Sequence, residues 1–179
     1  AERAAKGFAR FWNDAMGYCF DVLDGPEGHD ASLRPNQIFA VSLPESPLTP
    51  DQQRGVVEVC AHRLLTSHGL RSLDPDDRQY QGNYGGDQRQ RDGAYHQGTV
   101  WAWLIGPFVL AHLRVFKDPA QARELLEPMA HHLRATGVGT ISEIFDGDAP
   151  MTPRGCIAQA WSVAEVLRAR LATETLPYR

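Results

Sequence analysis

A chain of 179 residues that is 42% hydrophobic and 22% charged has the profile of one ordinary folded domain with enough apolar material for a core, which excludes a disordered or fibrous chain. The formal net charge is −4 and the arginines are scattered among acids, so no basic stripe exists for a phosphate backbone and nucleic acid is not an expected partner. Cys19, Cys60 and Cys156 are far apart and form no metal or redox spacing, which points to a reducing compartment, the cytoplasm, while no stretch is long and apolar enough to expect a membrane span.

Helical pattern recurs along the chain. Residues 1–16 place Phe8, Phe11 and Trp12 on one stripe, and 34–43 is a short segment closed by Pro44. Thr49 is an N-cap with Pro50 at the first helical position, and Val56, Val59, Cys60 and Leu64 then share a face. Residues 99–116 are apolar almost all round, with Pro107 as an expected kink. Asp118 and Pro119 open an amphipathic helix expected to stop at Gly137, and 155–172 is again mostly apolar. With no strand alternation, the expected class is all-α.

The links alternate between short ones and long ones at 17–33, 66–95 and 138–154. Antiparallel helix hairpins would gather the long links on one face, where binding and chemistry usually reside. Helices that follow the long links are apolar on more than one side and belong to an inner layer. Three such hairpins make an α-solenoid or half of a six-hairpin α/α barrel. The chain opens inside helical pattern at Ala1, so 1–179 is expected to be a single partial domain. Its bare inner-helix surface would be covered by the N-terminal half of the same barrel or by a homodimer.

The third long link carries Glu143, Asp146 and Asp148. Carboxylates are what glycoside hydrolysis needs, one to protonate the leaving oxygen and one to activate water, although DGD is also a common solvated turn. Glu143 differs from the others because Ile141, Ile144 and Phe145 surround it, and it is the candidate base. The second link, rich in Asp, Arg, Gly and Tyr, reads either as a flexible solvated loop or as a sugar-binding wall. It ends in DGAYHQGTVWAW, where Asp92, Tyr95, His96 and Gln97 precede Gly98, Trp101 and Trp103. Two positions apart on a helix, the tryptophans would point to different sides, so at most one lines a cavity. His131 and His132 have no other ligand at metal spacing, and no phosphate-cradling or nucleophile-elbow pattern occurs, so no metal and no cofactor are expected.

RPNQIFAVSLP (34–44), GLRSLDPDD (69–77), YQGNYGGDQRQRDGAYHQGTVWAWLIGPF (80–108) and SEIFDGDAPMTPRGCIAQAWSVAEVLR (142–168) resemble, in order, the C-terminal part of glycogen debranching enzymes, in their amylo-α-1,6-glucosidase domain of the archaeal and bacterial type. The resemblance implies the C-terminal half of a glucoamylase-like (α/α)6 barrel that hydrolyses, with inversion, the α-1,6-linked glucose left at a branch point of glycogen or a related glucan. It implies that Glu143 is the general base and that Arg34, Asn36, Gln37, His96, Gln97 and Trp101 contact glucose. Asp87, Asp92 and Tyr95 join them as candidates to bind hydroxyls. The family's general acid is an aspartate in a Trp-Met-Asp segment that this chain does not contain. A silent glucan-binding or structural half-barrel, or a trehalase-like glycosidase, are the competing readings.

Overall fold

The computed structural model describes residues 2–136 and 138–175, and beside its helices it holds three antiparallel sheets of two, two and five strands. The expected all-α class, with helix hairpins assembled into half of an (α/α)6 barrel, is corrected by these sheets. Ala1 and the expected helix stop at Gly137 lie outside the described residues. The strands leave little trace in sequence because each spans only two to four residues. Alternation becomes legible only over about four to eight.

Helix α1 (Glu2–Phe8) gives way at Ala9–Phe11 to a 3₁₀ turn, then to β1 (Trp12–Asn13), which pairs with β2 (Tyr18–Cys19). The expected helix over 1–16 therefore ends halfway. A second hairpin joins β3 (Val22–Gly25) to β4 (Gly28–Asp30), so the first long link is largely strand. A 3₁₀ turn over Pro35–Ile38 leads into α2 (Phe39–Ser42), which buries Ile38 and Val41.

Helix α3 (Pro50–Arg63) begins as its sequence demands. The Thr49 hydroxyl accepts the Gln52 N–H at 3.3 Å and the Gln52 side chain accepts the Thr49 N–H at 3.0 Å, a reciprocal box that satisfies two otherwise orphaned donors. Val56, Val57, Cys60 and Leu64 face the core, with Val59 only half-buried.

The five-stranded sheet runs β5 (Leu65–Thr66), β6 (Gly69–Arg71), β7 (Val100–Trp101), β8 (Ile144–Phe145), β9 (Pro153–Arg154), every pair antiparallel. It takes strands from the second and third long links and from the start of the supposed helix over 99–116, and so brings those stretches together. Helix α4 (Gln88–Ala94) lies within the second link.

After β7 a 3₁₀ turn (Ala102–Leu104) feeds α5 (Ile105–Phe116), the central helix, which buries Ile105, Phe108, Val109, Ala111 and Leu113 against α2, α3 and the helices that follow. Pro107 falls in its first turn, where no intrahelical N–H is required, so it produces no interior break. The next segment divides into α6 (Pro119–Glu124), capped by Asp118, and α7 (Glu127–Ala135).

Helix α8 (Ala160–Thr175) starts five residues later than the apolar run. It packs on α5 but leaves Trp161 and Leu167 47% and 56% exposed, with Ile157 66% exposed just before it. No helix of the described residues is long and apolar enough to cross a membrane.

Candidate functional site

Glu143 stands one residue before β8 and extends the ladder on both sides. Its carbonyl accepts the Ala102 N–H at 3.2 Å and its N–H donates to the Cys156 carbonyl at 2.9 Å. The backbone thus fixes where the side chain leaves the sheet. Two donors then fix the carboxylate: the Tyr95 hydroxyl to Oε1 at 2.5 Å and the Cys156 N–H to Oε2 at 2.9 Å. Burial, and then the bond to Glu143, push the Tyr95 phenol well above its ordinary value. The hydroxyl keeps its proton and acts as a donor. Gly155, at φ +66°, allows the approach, since a Cβ there would lie 2.5 Å from Glu143 Oε2.

Tyr95 links Glu143 to the wall of a cavity of about 510 Å³. Its carbonyl accepts the indole N–H of Trp101 at 3.1 Å, and the two rings meet at 4.7 Å. Trp101 lines the cavity and lies parallel to the His96 ring at 5.3 Å. Arg34, Asn36 and Asp21 line the same cavity. Arg34 donates to the Ser72 and His96 carbonyls at 3.0 and 2.7 Å and to Gln97 Oε1 at 2.8 Å, and it pairs with Asp21 at 3.4 Å. Asn36 donates to the other Asp21 oxygen at 3.1 Å. Arg34 therefore ties three chain segments into one wall. The cavity offers carboxylate and amide groups together with ring faces, a combination that suits a hexose.

Of the residues anticipated from sequence, Arg34, Asn36, His96, Gln97 and Trp101 line this cavity. Tyr95 and Glu143 stand one ring behind it. Gln37 turns inward, accepting the Cys19 N–H at 3.1 Å and donating to the Arg34 carbonyl at 3.2 Å, and it lines a neighbouring apolar cavity of about 320 Å³ instead. Asp87 caps α4 through a box with Gln90, and Asp92 is exposed on that helix; neither reaches the cavity. The other acids of the third link are also committed. Buried Asp146 is gripped by Arg154 at 3.0 and 3.1 Å and accepts the Tyr84 N–H, while Asp148 accepts the Tyr80 hydroxyl at 3.0 Å.

Asp21, Trp103 and Trp161 are among the lining residues that lie outside the sequence expectations. Nothing local to Asp21 marks it, because its role arises only from Arg34 and Asn36. Trp103 was expected to face away from Trp101. The two line the same cavity because Trp101 ends a strand and Trp103 sits in a 3₁₀ turn, so the helical angle between them never applies.

The profile described as amylo-alpha-1,6-glucosidase matches residues 1–168. The glycogen debranching enzyme of Saccharomyces cerevisiae is 31% identical over 93 residues, which is 49% of this chain and only 6% of that protein's length. The chain belongs to the amylo-alpha-1,6-glucosidase family of glycoside hydrolases.

Proposed function

We propose that this chain supplies the general base and part of the glucose-binding wall of an inverting α-1,6-glucosidase that removes single glucose stubs from glycogen or a related branched glucan. The observation that carries the reading is the two-donor clamp on Glu143. Each carboxylate oxygen accepts one fixed donor and retains a lone pair for the proton of an attacking water. The 510 Å³ cavity, whose wall Tyr95 joins to Glu143, supplies Asp21, Asn36 and Gln97 for sugar hydroxyls and Trp101 for a ring face.

In the reaction, water attacks the anomeric carbon from the face opposite the leaving oxygen and Glu143 takes its proton. The bond from that carbon to the leaving O6 breaks, and a general acid protonates the oxygen, so the released glucose has inverted configuration. An inverting pair needs carboxyl groups roughly 6.5–9.5 Å apart. Asp21 is engaged by Arg34 and Asn36 and orients the wall instead. On this reading the family's general acid, an aspartate in a Trp-Met-Asp segment, is not among these 179 residues.

The test is Glu143→Gln in the full-length protein, with glucose release from a branched substrate followed together with the anomer formed. A loss of about 10²–10⁴-fold in kcat with substrate binding retained is expected. Near-normal turnover, or release of the α-anomer, overturns the assignment.

A further inference from the structure

We infer that Trp161 is a carbohydrate-stacking platform at the mouth of the cavity, taking the glucosyl unit next to the one hydrolysed. This rests on the α-1,6-glucosidase reading of the site. Phe39, Trp103 and Trp161 form a continuous ladder of rings, with centroids 5.7 and 5.5 Å apart and planes 28° and 27° from parallel. Phe39 closes the inner end beside the apolar cavity, and Trp103 is sandwiched. Trp161 forms the outer end. It lines the larger cavity, stands nearly perpendicular to Trp101 at 6.2 Å, and is 47% exposed.

Backing by Trp103 and an edge contact with Trp101 hold the ring without occupying its outer side. A large aromatic surface that is rigid, half-exposed and set at a polar cavity's rim costs little to order when a ring stacks on it. Sugar rings present such faces on their C–H sides, whereas Asp21 and Asn36 offer the same cavity groups for hydroxyls. The position on α8 also matters. The Glu143 clamp is made from β8, Tyr95 and Cys156, so Trp161 can act on chain recognition without touching the base.

The experiment uses the full-length protein with Trp161→Ala and Trp161→Phe, assayed on two substrates. α-Glucosyl fluoride fills only the position of the glucose that is cleaved; a branched malto-oligosaccharide extends beyond it. Trp161→Ala is expected to raise KM for the oligosaccharide roughly tenfold, the effect of one contact of about 1.4 kcal/mol. The fluoride reaction, which does not extend beyond the cleaved glucose, loses markedly less than the oligosaccharide reaction, and Trp161→Phe recovers most of the loss. Unchanged oligosaccharide KM overturns the proposal, as does an equal loss on both substrates, which would mark Trp161 as a support for Trp103. If the wild-type protein hydrolyses neither substrate, the glucosidase reading fails. Calorimetric binding of the same oligosaccharide then decides Trp161 independently: a weaker Kd in Trp161→Ala sustains the platform and an unchanged one removes it.

Discussion

Replacing Gly155 with alanine separates the geometry around Glu143 from the general integrity of the fold. Gly155 has φ +66°, and a Cβ there would sit 2.5 Å from Glu143 Oε2 and 2.9 Å from Ile144 Cγ1. An L-residue in this left-handed region costs about 1–2 kcal/mol. Relief of the contact requires the carboxylate to move by about 1 Å to reach ordinary van der Waals separation. That movement stretches the 2.9 Å bond from the Cys156 N–H, a charge-assisted bond of about 1.5–3 kcal/mol. Because Glu143 is only half-buried, water recovers part of this, and a net destabilisation of about 2–3 kcal/mol is expected. For a domain of this size the melting midpoint falls by roughly 5–10 °C.

The effect on catalysis is larger, since a 1 Å misplacement of a reacting group costs about 10²-fold. The assay pairs glucose release with thermal unfolding of the same full-length variant. Gly93→Ala serves as the control: a Cβ at Gly93, inside α4, meets nothing within 4 Å, and the change is expected to be neutral or stabilising by up to about 1 kcal/mol. A Gly155→Ala protein that melts lower yet turns over normally would refute the role of Glu143's fixed position. Unchanged melting would refute the local geometry itself.

Asp146→Asn should lower stability by about 2–3 kcal/mol, toward the low end for a buried pair because Arg154 is 42% exposed, and it is read as a fall in the unfolding midpoint. Retained stability would mean the pair is not formed. His132 accepts the Ser142 N–H at 3.3 Å, and burial lowers its basicity as well as that of His68, whose neighbours His132 and His131 lower it further. A depressed folded value means the unfolded chain binds protons first, so stability is full above about pH 6.5 and declines as pH falls from there toward the folded values. His132→Gln should flatten that decline in urea titrations across pH, and an unaltered slope would exclude His132 as a source. Thr49→Ala removes the capping box of α3 and should cost about 1 kcal/mol by denaturant midpoint, with no change beyond error arguing against the box. The isolated 179-residue chain, exposing Ile157 and Leu167, should self-associate in sedimentation runs, and a monodisperse monomer would count against a docking face there.

Local chemistry in the sequence accounts for some elements and not for others. Thr49, Pro50 and Gln52 specify the start of α3 among themselves, and Asp118 with Pro119 does the same for α6, so both starts are readable residue by residue. The apolar neighbours of Glu143 likewise mark it out, because Ile144 and Phe145 are buried beside it in the sheet. The strands are different. Ile144 and Phe145 are both buried, as Val100 and Trp101 are, so no alternation exists to be read, and the partners that define them lie tens of residues away. That is also why the class was missed: apolar runs over 99–116 and 155–172 fit helices only in their C-terminal parts. Asp87, an acid beside arginines, suggests a sugar ligand in the sequence, and in the structure its side chain caps α4.

One short stretch, Tyr95 to Trp101, reaches both the cavity wall and Glu143. Tyr95 ends α4, and the chain leaves the helix through a turn completed at Gly98, φ +139°, where a Cβ would collide with the Gln81 carbonyl at 2.7 Å. Successive side chains on such a turn diverge. Tyr95 reaches Glu143, His96 stacks on Trp101, and Gln97 meets Arg34. A regular helix would have spread them around its axis, and a strand would have sent Tyr95 and Gln97 to the same side. The returning strand β7 then pairs with β8, whose preceding residue is Glu143, so the sheet register and the Tyr95 hydroxyl position the base from opposite directions. Displacing Trp101 from the cavity wall would therefore disturb Tyr95 through the indole N–H bond, and Glu143 through Tyr95. On the proposed reading, a glucose bound against Trp101 would bear on the orientation of Glu143 through Tyr95.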